Sequence, residues 1–261
     1  MAPAADPFDL SYELPLNERI RTILRLEHLF GQAHSARERE DPLSNHAALA
    51  ALIDVLDIIT RIDVKSELVK ELDRINGVLR ELGNNPGVQL ELLNETIATV
   101  DGLLAGLKAP AYQPGARLKN DELIGQIRQR ISIPGGLCPF DVPSLHHWLN
   151  QPAACRRAGF ESWCEDLTLI RDSCLEVLSL LRTSTVAHRE TATAGFFQYN
   201  NEESHPLQLV RVMIHSGLGA FPEISGGKHR FTIRFLEQPD TGSRPQQTDR
   251  DVTFALQVCW L

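Results

Sequence analysis

The chain has 261 residues, enough for one large domain or two modest ones, and a formal net charge of −8 at pH 7. This acidic balance argues against general attraction to nucleic acid or to an anionic membrane. The N-terminus lacks a basic region followed by an apolar run, and the apolar stretches fall short of a membrane span. We therefore expect a cytoplasmic protein. Five cysteines at irregular spacing, with no CxxC pair, predict buried thiols instead of a disulfide framework.

The first part of the chain has the apolar periodicity of helices. It predicts a helix over residues 16–36, a second that follows Pro42 and ends near Arg61, and a short helix over 120–131. A further helix is predicted to start at Asp141 as N-cap, and a long one to cover 161–182.

The strongest periodic signal lies in two matched leucine-rich segments on either side of a Gly/Pro turn at 83–87. Their apolar residues step alternately by four and three, which predicts an antiparallel helical hairpin with coiled-coil-like packing. The two seams are Leu68, Leu72, Ile75, Leu79 and Leu82, and Leu93, Ile97, Val100, Leu104 and Leu107. Such a hairpin packs either within its own chain or against a second copy, and the sequence does not distinguish the two.

Beyond Thr185 the pattern changes to strands, predicted over residues 195–199, 207–215, 228–236 and 252–260. In the last strand, every second residue from Val252 to Trp260 lies on an apolar face. The residues between them lie on a polar face. An antiparallel sheet packed on one side is expected, with a polar hairpin loop over 240–251. The predicted fold is therefore α+β: an all-helical domain over 1–185 with the long hairpin, then a β domain over 186–261.

Two arginines share one face of the strand over 228–236. Side chains of a strand alternate between faces, so Arg230, Thr232 and Arg234 lie opposite Phe231, Ile233 and Phe235. At about 3.3 Å per residue, the two arginines stand roughly 13 Å apart. Arginine binds carboxylates in a bidentate manner, so this face suits an acidic peptide, and 21 of the 26 basic residues are arginines.

The known motifs of catalysis and metal binding are missing from the sequence. It contains no HExxH, zinc-finger, EF-hand, P-loop or GxSxG pattern, and the adjacent His146 and His147 would diverge on a helix. We therefore predict a protein that is not an enzyme and requires no cofactor or metal. The alternative is a module that binds some other acidic peptide, or nucleic acid, through the face of the strand that has the arginines. Nucleic acid is suggested by Arg128, Arg130, Arg230 and Arg234, but the net charge disfavours it.

Several segments together resemble the ZapD family of bacterial cell-division factors, which bind FtsZ. The most specific is 128–136, which leads into Phe140, Asp141, His146, Trp148 and Leu149. The other matching segments are 12–22, 24–27, 70–74, 195–198, 224–226, 230–231 and 233–235.

The resemblance implies a helical domain followed by a β domain, in a homodimer without enzymatic activity. It also implies binding to the C-terminal tail of FtsZ, bundling of FtsZ protofilaments, lower GTP turnover and a location at the mid-cell division ring. The implied FtsZ-contacting residues are Arg25, Arg61, His146, Arg230 and Arg234. Glu122 stands where the family pattern has a further basic residue, and the neighbourhood of Trp148 is the candidate pocket for apolar residues of the tail.

Overall fold

The computed structural model describes residues 8–37, 41–85, 87–201 and 206–261. It confirms the α+β class, with helices in most of the first two-thirds of the chain and antiparallel strands after them. The helices are α1 Glu18–Arg37, α2 Pro42–Arg61, α3 Val64–Leu82, α4 Leu90–Lys108, α5 Ala116–Asn120, α6 Glu122–Arg130, α7 Pro143–Leu149, α8 Ala153–Cys164 and α9 Thr168–Thr183. The strands are β1 Leu10–Pro15, β2 His188–Ala192, β3 Phe196–Asn200, β4 Leu209–Ile214, β5 Phe221–Gly227, β6 Arg230–Glu237, β7 Gln246–Gln247 and β8 Val252–Cys259.

The chain divides into two compact units by packing. One contains the residues up to Arg21 together with Leu178–Leu261, and the other contains Thr22–Val177. The N-terminal segment belongs with the β structure because β1 pairs antiparallel with β4. The predicted domain boundary at residue 185 stays a prediction.

The helical unit contains the predicted hairpin. Leu68, Leu72 and Ile75 on α3 are fully buried, as are Val100 and Leu107 on α4. Polar side chains fix the register of the two helices: Asp101 accepts hydrogen bonds from Asn76 and Arg80, each at 2.7 Å, and Lys108 donates to Asp73 at 2.8 Å. The hairpin thus packs within its own chain along both seams, whereas Leu82 at its tip is 40% exposed.

Two helix assignments made from the sequence need correction. The segment predicted as one helix over 161–182 is divided by a 3₁₀ turn at Glu165–Leu167, and α8 begins earlier, at Ala153. The N-cap of α7 is Val142, not Asp141. Helix α2 is long and apolar enough to cross a membrane, contrary to the expectation that no segment is. However, eight of its residues are buried in the protein core.

The cysteines are more varied than expected. Cys174 and Cys259 are buried thiols, as predicted, but Cys155 is exposed and Cys138 and Cys164 are half-buried.

The β unit is built from two antiparallel sheets. One has the strand order β1-β4-β8-β2, and the other has the order β3-β6-β5 with β7 paired to β6. Their facing residues form one core, in which the ring of Phe254 on β8 packs edge-on to Phe197 and beside Phe235, at centroid distances of 5.3 and 5.2 Å. Strand β6 is therefore central in its sheet, and only one of its faces is used for packing.

The expectation that β8 exposes a polar face is wrong. Ala255 and Gln257 are buried, whereas Trp260 of the predicted apolar face is 39% exposed. Gln257 donates to the backbone carbonyls of Arg182 and Thr185, at 2.5 and 2.6 Å, at the end of α9. Its side-chain oxygen accepts from Arg211, which also donates to Glu13 at 2.7 Å. A buried polar residue needs such partners, and they are supplied by segments distant in sequence.

Candidate functional site: the outer face of the second sheet

The outer face of the β3-β6-β5 sheet presents the two predicted arginines. Arg230 and Arg234 are exposed, and the residues between and beside them point alternately inward, where Phe231, Ile233 and Phe235 are at most 1% exposed. Because β6 is hydrogen-bonded on both sides, its backbone is held in place and the arginine spacing is fixed. The prediction that the two arginines share one exposed face of a strand is confirmed.

The strand register defines which residues flank each arginine. Arg230 lies between Asn200 and Gly227, Thr232 between Gln198 and Ser225, and Arg234 between Phe196 and Glu223. We call these nine residues the arginine face. The two rows that contain an arginine differ in character: the row of Arg230 is otherwise neutral, and the row of Arg234 has an aromatic ring on one side and a carboxylate on the other.

The charges of the arginine face remain available to a ligand. Within the part of the chain that the structure describes, neither Arg230 nor Arg234 forms an ion pair, including with Glu223. Beyond Arg234 the same face continues with Leu236, paired with Phe221, and both are half-buried. Phe196 is 39% exposed. One end of the face is therefore cationic and polar, and the other places a cation beside apolar side chains.

Sequence reasoning missed Phe196 and Glu223 as members of this site. Strand β5 was not predicted, because Pro222 and the pair Gly226 and Gly227 interrupt its pattern. Gly226 has φ +153°, and a Cβ there would lie 2.4 Å from the Cα of Phe231, so this position requires glycine. The glycines that hid the strand are thus part of the hairpin that leads into Arg230.

The other three predicted site residues belong to the helical unit. Arg25 is exposed on α1 and has no ion pair with any described residue, and the ring of His146 is exposed on α7. Arg61, at the end of α2, lies 3.7 Å from Asp57 and its side chain is 78% exposed. No hydrogen bond or ion pair within the described ranges joins these three residues to one another.

Asp57 organises a second basic cluster around Arg61. Its other oxygen accepts from Nε of Arg128 at 2.7 Å, and Arg128 also donates to the hydroxyl of Thr60 at 3.3 Å. Arg128 is thus held between α6 and α2 by structural contacts. Glu122, at the departure from the family pattern, is exposed at the start of α6, where an acidic side chain suits the helix dipole.

The side chain of Trp148 belongs to the core of the helical unit. It is 8% exposed and packs with Phe160 and Trp163 in an aromatic cluster whose ring centroids are 5.4 to 5.8 Å apart. Whether apolar residues of a bound tail lie in the neighbourhood of Trp148 stays a prediction.

Comparison with known proteins identifies the family. The family model described as "ZapD: Cell division protein" matches residues 24–234. The chain belongs to the ZapD family. Cell division protein ZapD of Azoarcus sp. (strain BH72) is 39% identical over 252 residues, covering 97% of this chain and all of the relative. The corresponding proteins of Nitrosomonas eutropha and Ralstonia pickettii are 38% and 39% identical and cover 97% and 95% of this chain, and 100% and 98% of their own lengths.

Membership of the ZapD family assigns the protein a role in cell division. Its relatives carry the name of a division factor and not that of an enzyme. Among the described residues, no group of three or more histidine, cysteine or acidic side chains is arranged to hold a metal ion.

Proposed function

We propose that this protein binds the C-terminal tail of FtsZ and, as a homodimer, cross-links FtsZ protofilaments at the mid-cell division ring. Cross-linking would stabilise the ring and lower GTP turnover by FtsZ. The proposed contacts are Arg25, Arg61, His146, Arg230 and Arg234. The observation that supports this function best is the pair of exposed arginines, without ion pairs to described residues, on a rigid strand of an acidic protein.

The arginine face suits an extended acidic peptide better than nucleic acid. A polyphosphate backbone requires a continuous basic surface, yet Glu223 stands directly beside Arg234. A peptide can place carboxylates at the two arginines and a neutral or basic residue near Glu223. An apolar residue of the peptide would lie against Phe196 and Leu236.

A dimer with one such face in each subunit can bridge two filaments. A polymer of FtsZ presents many tails, so that after the first contact each further contact is effectively intramolecular. Weak individual contacts then produce strong attachment. Since exposed arginine–carboxylate pairs are screened by salt, bundling should weaken steeply as ionic strength rises.

The deciding experiment is co-sedimentation of this protein with polymerised FtsZ, comparing full-length FtsZ with a version that lacks the C-terminal tail. We expect pelleting and bundling with the full-length protein only. Equal pelleting with tail-less FtsZ would exclude the tail as the binding element, and no pelleting with either would exclude FtsZ as the partner.

A charge-matched pair of variants tests the arginine face itself. The double substitution Arg230→Ala with Arg234→Ala lowers the net charge by two, and Arg244→Glu does the same at an exposed arginine outside the face. We expect the double variant to weaken binding of a tail peptide about two- to thirty-fold, because two exposed contacts of about 0.2–1 kcal/mol each are lost, and Arg244→Glu to have little effect. Equal losses in the two variants would mean that net charge, and not this face, determines binding.

A further inference from the structure

A second feature of the protein is an open cavity of about 370 Å³ in the helical unit. Its buried floor contains Phe30 and Ala33 of α1, Leu52 of α2, Phe160 of α8 and Leu167. This volume lies in the range of pockets that bind small ligands. None of the FtsZ-contacting residues proposed above lines it.

Helices α1 and α9 both contribute residues to the lining of the cavity. On α1 the lining residues Glu27, Gly31 and His34 follow helical spacing, and on α9 Thr168, Arg171 and Leu175 do the same. Gly31 has no atom within 4 Å of the position that a Cβ would occupy. At Gly31, α1 therefore contributes no side chain to fill this part of the cavity.

The wall of the cavity is rigid. Phe160 packs against Trp148 and Trp163 at centroid distances of 5.8 and 5.6 Å, and Trp163 donates from its indole to Asp121 at 2.8 Å. An unfilled apolar cavity lowers stability, so a ligand that fits a preformed one gains affinity without having to reorganise the protein.

Among the described residues at the rim of the cavity, basic groups outnumber acidic ones. Arg37, Arg171 and the exposed His34 line it together with the carboxylate of Glu27. Burial raises the pKa of the Cys164 thiol in this wall, the guanidinium groups of Arg37 and Arg171 oppose that rise, and Asp166 adds to it. Arg171 also pairs with Asp172, just outside the cavity, at 2.9 Å, yet its side chain is 44% exposed and keeps further N–H donors. Leu175 adds an apolar side chain at the mouth that is 43% exposed.

We propose that this cavity binds one small amphipathic anion per chain, a molecule with an apolar body and a single carboxylate. The apolar body occupies the floor between Phe30, Leu52 and Phe160 and covers Leu175. The carboxylate stays at the mouth, where Arg171 and Arg37 donate to it. This ligand class follows from the apolar floor and the basic excess at the rim, and it does not depend on FtsZ binding.

The test uses the full-length protein and decanoate as the probe, below its micelle-forming concentration. Isothermal titration calorimetry should show saturable binding of one decanoate per chain. Decanoate should bind at least ten-fold more tightly than decanol, and decyltrimethylammonium should bind more weakly than decanol. Absence of saturable binding would overturn the site. Equal affinity for decanoate and decanol, or preference for the cation, would overturn the assignment of an anionic ligand.

Matched glycine variants locate the binding site. Gly31→Leu places a side chain in the open mouth of the cavity and should weaken decanoate binding at least ten-fold. Gly77→Leu makes the same change on α3, at an exposed glycine whose Cβ position is equally open, and should leave binding unchanged. Equal effects of the two substitutions, or none at Gly31, would place decanoate elsewhere.

A charge variant separates the two ends of the ligand. Because Arg171 is partly exposed, Arg171→Gln preserves the fold, and it should weaken decanoate about five-fold while leaving decanol unchanged. Equal losses for both ligands would contradict a role for Arg171 in binding the carboxylate.

Discussion

Arginines on the β sheet and arginines on the helices have different environments in this protein, although both groups include residues of the family pattern. On the sheet, Arg230 and Arg234 stand beside one carboxylate, Glu223, without forming an ion pair with it. On the helices, Arg61 and Arg128 share Asp57, and Arg128 is held by it at 2.7 Å. Both clusters combine two positive charges with one negative charge. They differ in whether the guanidinium groups form ion pairs within the described part of the chain, and net charge does not reveal this difference.

Of the predictions that compare these two regions, the one with the largest expected change in affinity sets Arg234→Ala against Arg128→Ala. Loss of Arg234 should weaken binding of an FtsZ tail peptide about five-fold, near the upper limit for an exposed ion pair, and leave the unfolding midpoint unchanged. Loss of Arg128 should change tail binding less than about two-fold but lower the free energy of unfolding by about 1 kcal/mol, after allowing for solvent screening of this partly exposed pair. Fluorescence anisotropy and urea unfolding measure the two quantities. The opposite pattern would contradict the distinction between available and committed arginines.

Phe196 provides a finer test of the sheet region. Phe196→Ser should weaken tail binding about three-fold, because an apolar residue of the tail would lose its contact area beside Arg234. Gln198→Ser, two positions along the same face of β3, removes no aromatic ring, serves as the control and should weaken binding less than Phe196→Ser does. The difference should vanish with a tail peptide whose apolar residues are replaced by serine. If it persists with that peptide, Phe196 does not contact apolar side chains.

Asp57→Asn would leave Arg61 and Arg128 without their shared carboxylate, so that the arginines of the helical region would resemble those of the sheet in having no ion pair with a described residue. It removes the acceptor charge of Arg61 and Arg128 and should strengthen tail binding about two-fold, measured at low salt. The same variant should be slightly less stable, since Arg128 loses a charge-assisted hydrogen bond. Unchanged affinity would indicate that Arg61 does not face the bound tail.

The smallest effect concerns acid stability of the hairpin. The hydrogen bond from Asn76, with a further contribution from Arg80, lowers the pKa of Asp101 below its ordinary value of 3.8. A carboxylate whose pKa is lowered in the folded state stabilises the protein at pH values above its ordinary pKa. This stabilisation is lost as the pH falls through the folded-state pKa. Asp101→Asn should therefore be less stable than the wild type at neutral pH, and the gap should close below about pH 3.8, measured by urea unfolding across pH. A gap that widens in acid would contradict this role of Asp101.

The patterns with strong local periodicity were predictable. The seams from Leu68 to Leu79 and from Leu93 to Leu107, and the alternation from Arg230 to Phe235, each match the geometry of one element, so burial follows from spacing alone. Strands β1, β2 and β5 were missed because they are short or contain proline and glycine, and their pairing depends on partners elsewhere in the chain. The break between α8 and α9 was missed because apolar spacing continues across it.

By itself, the sequence determined the α+β class, the helical hairpin, the alternating faces of β6 and the resemblance to the ZapD family, because each depends on local periodicity or on short matched segments. Only the tertiary structure decided that Glu223 and Phe196 flank Arg234, that Arg128 is bound by Asp57, that Trp148 belongs to the core, and that four helices leave a cavity beside Arg171. Each of these depends on side chains brought together from distant positions. Sequence spacing fixes the direction of a side chain along its own element, whereas its neighbours depend on how the elements pack.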